Sequence, residues 1–277
     1  MAILNVFANF FIDTNERYLR MQDSFNSFKD ISADKWIINA RGKFAKDTMS
    51  FLRDNLGQKL IVHKRHSNEG WFHDTRQMLP DIDGDYVVFW IEDHINLAEV
   101  DLLENIVSEM KNKDLDYMLY TFWQKGRLRE RYRGVSLTYS RYIDYFEHNV
   151  TNNSIIQSNI GGSYIISAAS ICRLSLFNRI VLANDPTPRR WPKETPYDFE
   201  KGPNDTHWLP LRVAIPKQEI FASIDDDHGC VGYCLQSRGI YPVREKRKSY
   251  ANWTNLNGFF LLKRFFNKIL LRCKQTS

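Results

Sequence analysis

Three side chains with metal-binding and acid–base chemistry follow one of the most apolar short segments of the sequence. The run Tyr-Val-Val-Phe-Trp-Ile over residues 86–91 is typical of a buried strand, and Glu92, Asp93 and His94 come directly after it. In open α/β sheets, ligands bind beyond the carboxyl ends of the strands. Carboxylates in that position can hold Mg²⁺ or Mn²⁺ against a diphosphate, because these ions favour oxygen ligands and keep positions for water and phosphate. We therefore predict a divalent cation, Mg²⁺ or Mn²⁺, with Asp93 as the first ligand and Glu92 as the second.

A structural interpretation of the same turn is also open. Acidic side chains near the start of a helix stabilise its free backbone N–H groups. If a helix begins near Asn96, Glu92 and Asp93 would cap it.

Segments typical of strands and of helices alternate along the first part of the chain. Apolar runs predict strands at 2–12, 35–40, 59–63, 86–91 and 117–123, and apolar residues at helical spacing predict helices at 16–28, 46–55, 71–79 and 98–111. Such alternation indicates an α/β fold with a mostly parallel central sheet flanked by helices. The second half is less regular, and a helix is predicted there over 168–178.

The sequence around the acidic turn resembles that of the GT-A-fold glycosyltransferases, particularly the family 2 type. The matching segments are Thr75-Arg76-Gln77, then Gly84-Asp85 and the predicted strand over 86–91, then Glu92-Asp93-His94. The resemblance covers roughly residues 3 to 125. It implies a GT-A-like fold and sugar transfer from a nucleotide-diphosphate donor. The chain departs from the family where Glu92-Asp93-His94 replaces the usual Asp-x-Asp, which affects the metal ligands directly.

The same resemblance implies a set of donor-binding residues. Family members place an aromatic or polar residue and an acid after the first strand to hold the nucleobase and ribose. The nucleotide-sugar-binding residues expected here are Asn9, Phe11, Asp13, Arg17, Asn39, Arg41, Arg76, Glu92 and Asp93.

A general base and a late metal ligand are implied as well. Family members carry the base roughly a hundred residues after the acidic turn, where Asp198, Glu200 and Asp205 occur, and Glu200 is the first choice. An inverting transfer needs such a group to take the proton of the acceptor hydroxyl. His228, which follows three aspartates, is expected as a further metal ligand, with a solvated acidic loop as the alternative. The resemblance favours inversion and leaves retention open.

Charge is concentrated at the end of the chain, whose net charge is +5. Residues 258–274 combine Phe and Leu at helical spacing with Lys and Arg and contain no acid. This pattern predicts an amphipathic helix on an anionic membrane surface, with packing on the catalytic domain or a second subunit as the alternative. Nucleic acid is not expected as a partner, because the cations are interleaved with large aliphatic residues.

The compartment follows from the cysteines and the apolar runs. Four cysteines in 277 residues do not form a disulfide framework, and the first residues lack the pattern of a signal peptide. No run reaches the roughly 18 apolar residues that cross a bilayer. We expect a cytoplasmic protein, peripheral on the inner face of the plasma membrane.

The combined hypothesis is a glycosyltransferase that acts on a glycan or lipid-linked acceptor in surface polysaccharide (lipopolysaccharide, O-antigen or capsule) biosynthesis. Residues 1–125 would bind the nucleotide sugar, 126–245 would bind the acceptor and complete the site, and 246–277 would form the membrane-associating tail. Two other classes are alternatives: a non-catalytic, membrane-associated assembly protein with a degenerate transferase fold, and a sugar-phosphate nucleotidyltransferase. The Gly-rich basic loop that the latter needs after its first strand is absent.

Overall fold

The structure is a computed structural model that describes residues 2–120, 130–160, 164–183, 195–227 and 232–244. The described residues up to Pro242 form one compact unit, and Val243 and Arg244 lie outside it. The predicted helix over 258–274 lies outside the described residues. Within the part of the chain that is described, no helix has the length and apolar character needed to cross a bilayer. The predicted division of the chain into functional segments 1–125, 126–245 and 246–277 stays a prediction.

The order of elements shows the expected alternation in the first half. The helices of the described residues are α1 (Asn15–Phe28), α2 (Ala45–Leu56), α3 (Trp71–Arg76), α4 (Val100–Asn112), α5 (Val150–Ile160) and α6 (Leu174–Leu182). The strands are β1 (Leu4–Phe11), β2 (Lys35–Arg41), β3 (Leu60–His63), β4 (Tyr86–Phe89), β5 (His94–Asn96), β6 (Tyr117–Leu119), β7 (Thr138–Tyr139), β8 (Ile143–His148), β9 (Ser170–Arg173), β10 (Leu211–Pro216) and β11 (Phe221–Ser223).

Nine of these strands form one sheet in the order β3-β2-β1-β4-β9-β6-β10-β8-β7, and β5 pairs with β11 in a separate ribbon. Strands β1 to β4 are mutually parallel, and β10 is parallel to β6. The predicted α/β class with a mostly parallel central sheet is therefore confirmed. Because β1, β2, β3 and β4 end at the same edge, the loops that follow them are brought together there.

Aromatic side chains cover both faces of the sheet. On one face the rings of Trp36 and Trp90 lie 5.3 Å apart, and Phe28 of α1 packs against both. On the other face Trp71 of α3 stacks on Phe89 with ring centroids 5.5 Å apart. All five side chains are buried, and burying one large apolar side chain stabilises a fold by about 1.5–3 kcal/mol. This packing fixes the end of β4, from which the acidic turn emerges.

The helix predicted over 168–178 is wrong. The chain first forms β9 and then α6. Strand β9 lies between β4 and β6, antiparallel to both, and Ser170, Ile171 and Cys172 are buried. A short strand that is buried on both faces has no polar–apolar alternation, so its pattern resembles that of a helix. The helix predicted over 71–79 ends earlier, at Arg76, ahead of Pro80.

Candidate active site

The carboxyl ends of β1 and β2 carry a buried polar cluster. The parallel register places Asn9 beside Asn39 and Phe11 beside Arg41. The Asn39 amide donates to Asn9 Oδ1 at 2.9 Å, and Arg41 Nε donates to the same oxygen at 3.2 Å. Both asparagines and Arg41 are at least nine-tenths buried. The structure therefore brings three of the expected donor-binding residues, Asn9, Asn39 and Arg41, into contact.

This cluster is also attached to α3. Asn9 Nδ2 donates to Thr75 Oγ1 at 3.0 Å, and Trp71 Nε1 donates to the Asn9 carbonyl at 3.1 Å. Asn39 accepts from the backbone N–H of Arg65 at 2.8 Å. These bonds fix the ends of three neighbouring strands against one helix, so the edge is preorganised. Direct contact of Asn9 or Asn39 with a nucleotide stays a prediction.

Arg17 connects the first strand to the acidic turn. Thr14 caps α1 by accepting from the Arg17 backbone N–H at 3.2 Å. The Arg17 guanidinium donates to the Phe11 carbonyl at 2.7 Å and lies 3.5 Å from a Glu92 carboxylate oxygen. The charge of Glu92 raises the pKa of Arg17, and Asp93 and Asp13 add to this effect. The guanidinium is still about half exposed, at 46%, and can reach a ligand.

The two carboxyl groups of the acidic turn differ in their environments. Burial raises the pKa of Glu92 and the charge of Asp93 adds to this, while Arg17 acts in the opposite direction. Burial also disfavours ionisation of Asp93, but the His94 ring outweighs it and lowers the pKa of Asp93 to about 2. His94 Nδ1 lies 2.8 Å from Asp93 Oδ1. Asp93 is therefore an ionised group at neutral pH, with its side chain 28% exposed.

The capping interpretation of this turn is wrong. Residues 94–96 form β5, and helix α4 does not begin until Val100. The N-cap of α4 is Glu99, several residues after the acidic turn. Glu92 and Asp93 thus serve no helix start, and their charges face Arg17 and His94 instead.

The segment after β11 closes over the acidic turn. The Ile224 backbone N–H donates to the Asp93 carbonyl at 2.7 Å. Asp225, the next residue, lies 2.8 Å from the guanidinium of Arg20, which also contacts Glu16 at 2.9 Å. The charge of Arg20 helps to lower the pKa of Asp93. His228 lies outside the described residues, so its predicted metal role stays a prediction.

Tyr197, from the second half of the chain, is affected by the charges of the acidic turn. Burial raises the pKa of Tyr197, and the negative charges of Asp93, Glu92 and Glu200 add to the shift. Glu200 accepts from Ser167 Oγ at 2.8 Å, which orients its carboxylate. The role of Glu200 as the base stays a prediction.

The other predicted residues have different surroundings. Asp205 accepts from the Gly202 backbone N–H at 2.8 Å within a local turn, and the Asp198 carbonyl accepts from Lys201 Nζ at 3.3 Å. Arg76 donates to the carbonyls of Val181 and Ala183 at the end of α6. Their roles with substrate stay predictions.

Two neighbours of the site were missed in the sequence: Arg20 and Ser167. Arg20 follows Glu16 by four residues, a spacing that indicates an intrahelical ion pair, but nothing in the sequence connects it with Asp225. No sequence pattern indicates that Ser167 contacts Glu200.

The chemistry of the donor set fits a hard divalent cation only in part. Asp93 and Glu92 offer carboxylate oxygens, which Mg²⁺ and Mn²⁺ favour. Among the described residues, no group of three or more His, Cys, Asp or Glu side chains could hold a metal ion. These residues therefore fit a cation that takes one or two protein carboxylates and draws its other ligands from water and phosphate.

Known structures share this fold. No protein-family model and no curated protein matches the sequence. The chain is similar to a 1–349 fragment of S. aureus TarS solved in complex with UDP-GlcNAc, with 14% identity, a TM-score of 0.51, and coverage of 80% of this chain and 58% of that one. It is also similar to the mannosyltransferase PcManGT from Pyrobaculum calidifontis, solved with GDP-Man and Mn²⁺, with 12% identity, a TM-score of 0.50, and coverage of 84% and 59%. The chain spans less than two thirds of the length of either structure. At this level of identity the likeness shows the fold alone, and the predicted GT-A-like α/β fold is confirmed.

Proposed function

We propose that this chain is a glycosyltransferase that moves a sugar from a nucleotide-diphosphate donor to a hydroxyl group of a glycan or lipid-linked acceptor. One observation carries the proposal: the ionised Asp93 and its neighbour Glu92 lie beside Arg17 at the carboxyl edge of the sheet. The fold supports it, because two structures with the same fold were solved with UDP-GlcNAc and GDP-Man.

The charged side chains at the carboxyl edge of the sheet suit a diphosphate ligand. Arg17 is half exposed and can donate to phosphate oxygens, a charge-assisted contact that is stronger than a neutral hydrogen bond. Asp93 and Glu92 would hold the divalent cation, Mg²⁺ or Mn²⁺. When bound, that cation would supply positive charge to the diphosphate that leaves.

Glu200 is assigned as the base. The acceptor oxygen attacks the anomeric carbon, the bond from that carbon to the diphosphate oxygen breaks, and its electron pair leaves with the nucleotide. Glu200 takes the proton of the acceptor hydroxyl as the new bond forms. Ser167 Oγ donates to Glu200 Oε1 at 2.8 Å and so helps to hold the carboxylate in place. Attack opposite to the leaving group inverts the anomeric configuration.

The wider assignment extends the same proposal. Residues 1–125 bind the donor, 126–245 bind the acceptor, and the basic amphipathic segment 258–274 holds the protein at the inner face of the plasma membrane. A membrane-bound position favours a lipid-linked acceptor and hence surface polysaccharide biosynthesis of the lipopolysaccharide, O-antigen or capsule type. The charge pattern of the sequence supports this part.

Calorimetric titration with UDP, GDP and CMP, each with and without Mn²⁺, tests the donor site. We expect metal-dependent binding of one nucleotide by the native chain and its loss in Asp93→Ala. Asp54→Ala is the matched control, because Asp54 is exposed on α2 and should leave binding unchanged. Absence of binding to all three nucleotides would reject a transferase and favour an assembly protein with a degenerate transferase fold.

A further inference from the structure

Arg131 is a buried cation outside the candidate active site. The residue is only 9% exposed. Its guanidinium donates to the Tyr164 carbonyl and lies over the Tyr132 ring, 5.5 Å from the ring centroid. Arginine keeps its positive charge in proteins, so a full charge is held in this interior position.

No negative charge in the described part of the chain compensates Arg131. None of the described Asp or Glu side chains forms an ion pair with it, and its Nε atom is buried without a hydrogen-bond partner. Two ionisable groups of the described residues that face it, His148 and Tyr117, are neutral at neutral pH. Burial lowers the pKa of His148 to about 4, and the charge of Arg131 adds to that effect, whereas the hydrogen bond from His148 Nε2 to Asn153 Oδ1 opposes it. Burial raises the pKa of Tyr117 well above its usual range.

An unpaired buried charge strongly destabilises a folded protein, because the charge has lost its hydration and has no partner. A neutral residue of similar volume would avoid this cost, whereas an anion that binds here would meet a strong and little-screened attraction. The planar guanidinium suits a phosphate or a carboxylate group, because its N–H groups match paired oxygens. We propose that Arg131 binds an oxyanion carried by a ligand, at a site separate from that of the nucleotide.

The position of Arg131 indicates which ligand carries the anion. Arg131 holds the Tyr164 carbonyl, and three residues further along the chain Ser167 holds Glu200. Three residues span at most about 10 Å, which is the length of one or two sugar units. The acceptor is therefore the ligand whose phosphate or carboxylate reaches Arg131. This last step rests on the proposed function, whereas the anion site does not.

Thermal unfolding in increasing inorganic phosphate, with chloride used to keep the ionic strength constant, tests the site. We expect a saturable rise in Tm of about 2–5 °C for the native chain. A parallel series in acetate separates phosphate from carboxylate as the preferred group. The same series is measured on Arg17→Gln, because Arg17 belongs to the nucleotide site and can itself bind phosphate. A saturable response that remains in this variant comes from a site other than that of the nucleotide. If the native chain shows no saturable response to either anion, the site does not exist.

Two variants separate anion binding from a purely structural role. Arg131→Met should raise the Tm without phosphate by about 2 °C or more, since it removes an unpaired buried charge, and should abolish the phosphate response. Arg133→Met is the matched control, because Arg133 is exposed two residues away, and it should change neither quantity. A phosphate response that is undiminished in Arg131→Met would overturn the proposal. If Arg131→Met does not fold, an undiminished response in Arg131→Gln, which also removes the charge, would overturn it.

The nucleotide titration keeps this proposal distinct from the proposed function. Arg131→Met should bind the nucleotide as the native chain does. A native chain that responds to phosphate through Arg131 but binds no nucleotide would retain the anion site and reject the assignment of the acceptor as its ligand.

Discussion

The guanidinium of Arg20 lies 2.8 Å from the carboxylate of Asp225, although 205 positions separate them along the chain. Arg20 also contacts Glu16 at 2.9 Å, so one cation on α1 holds two carboxylates. The three side chains are between 8% and 12% exposed. Burial opposes the charge of Arg20, but hydrogen bonds to Glu16 and Asp225 outweigh it and raise the pKa of Arg20. This contact fixes the segment after β11 next to Asp93.

Replacement of Arg20 should therefore destabilise the protein. Arg20→Met removes the cation that the nearly buried carboxylates of Glu16 and Asp225 share, and loss of one partner of a buried ion pair costs about 3–5 kcal/mol. Denaturant unfolding should show a lower midpoint by a corresponding amount. The matched control is Arg53→Met, because Arg53 is exposed on α2, and it should change stability by about 0.5 kcal/mol or less. Equal losses in the two variants would contradict a stabilising role for the Arg20 contacts.

Glu200→Gln should separate turnover from donor binding. The glutamine keeps the shape and can still accept from Ser167 but cannot take a proton from the acceptor. We expect kcat to fall about 10²- to 10⁴-fold, with the nucleotide affinity unchanged. Release of the nucleoside diphosphate in the presence of acceptor measures the first quantity, and calorimetry measures the second.

Asp205→Asn is the comparison for that experiment. The Asp205 carboxylate accepts from the Gly202 backbone N–H, so its replacement should weaken a local turn by about 1 kcal/mol and leave most of kcat intact. If Asp205→Asn loses turnover as severely as Glu200→Gln does, Glu200 is not the sole candidate for the base and the assignment must be revised.

Arg17→Gln should weaken binding of the diphosphate in particular. Hydrogen bonds to charged groups contribute about 1.5–3 kcal/mol, so the Kd for a nucleoside diphosphate should rise about 10- to 100-fold. The affinity for the corresponding nucleoside without phosphates should stay the same, because the predicted contact is to phosphate. An equal loss for nucleoside and nucleoside diphosphate would indicate that Arg17 acts by fixing the Phe11 backbone instead.

Much of the first half of the fold could be predicted from the sequence. The strands over 35–40 and 59–63 and the helices over 16–28 and 46–55 each occur within about one or two residues of the expected bounds. These segments are continuous apolar runs or regular amphipathic repeats with clear polar ends, and such patterns specify local structure strongly. The carboxyl edge of a parallel sheet then brings Asn9, Asn39 and Arg41 together without further information.

The remaining features depend on contacts that local patterns do not contain. Strand β9 is inserted between β4 and β6 from a distant part of the chain, and its residues are buried on both faces, so no alternation marks it. The charges of Glu92 and Asp93 act on Tyr197, and Arg20 pairs with Asp225; both relationships join residues more than a hundred positions apart. Only the structure shows them.

His148 should make stability depend on pH. The ring is 3% exposed, and burial lowers its pKa to about 4 from an ordinary value of 6.5. Between these two pH values the unfolded chain binds a proton at His148 and the folded chain does not. The free energy of unfolding should therefore fall as the pH drops from about 6.5 to 4, by at most about 1.4 kcal/mol per pH unit from this group. Above pH 6.5 the group should contribute no pH dependence.

His148→Gln isolates this contribution, because glutamine does not titrate and can still donate to Asn153, which lies 3.0 Å from His148 Nε2. Denaturant unfolding at several pH values should show the native chain losing more stability than the variant as the solution is acidified below pH 6.5. His66→Gln is the control, since His66 is exposed and should give a profile parallel to that of the native chain. Parallel profiles for His148→Gln and the native chain would mean that His148 titrates alike in the folded and unfolded states. The loss of stability in acid would then have to come from those carboxylates whose pKa values are lowered in the fold, as that of Asp93 is.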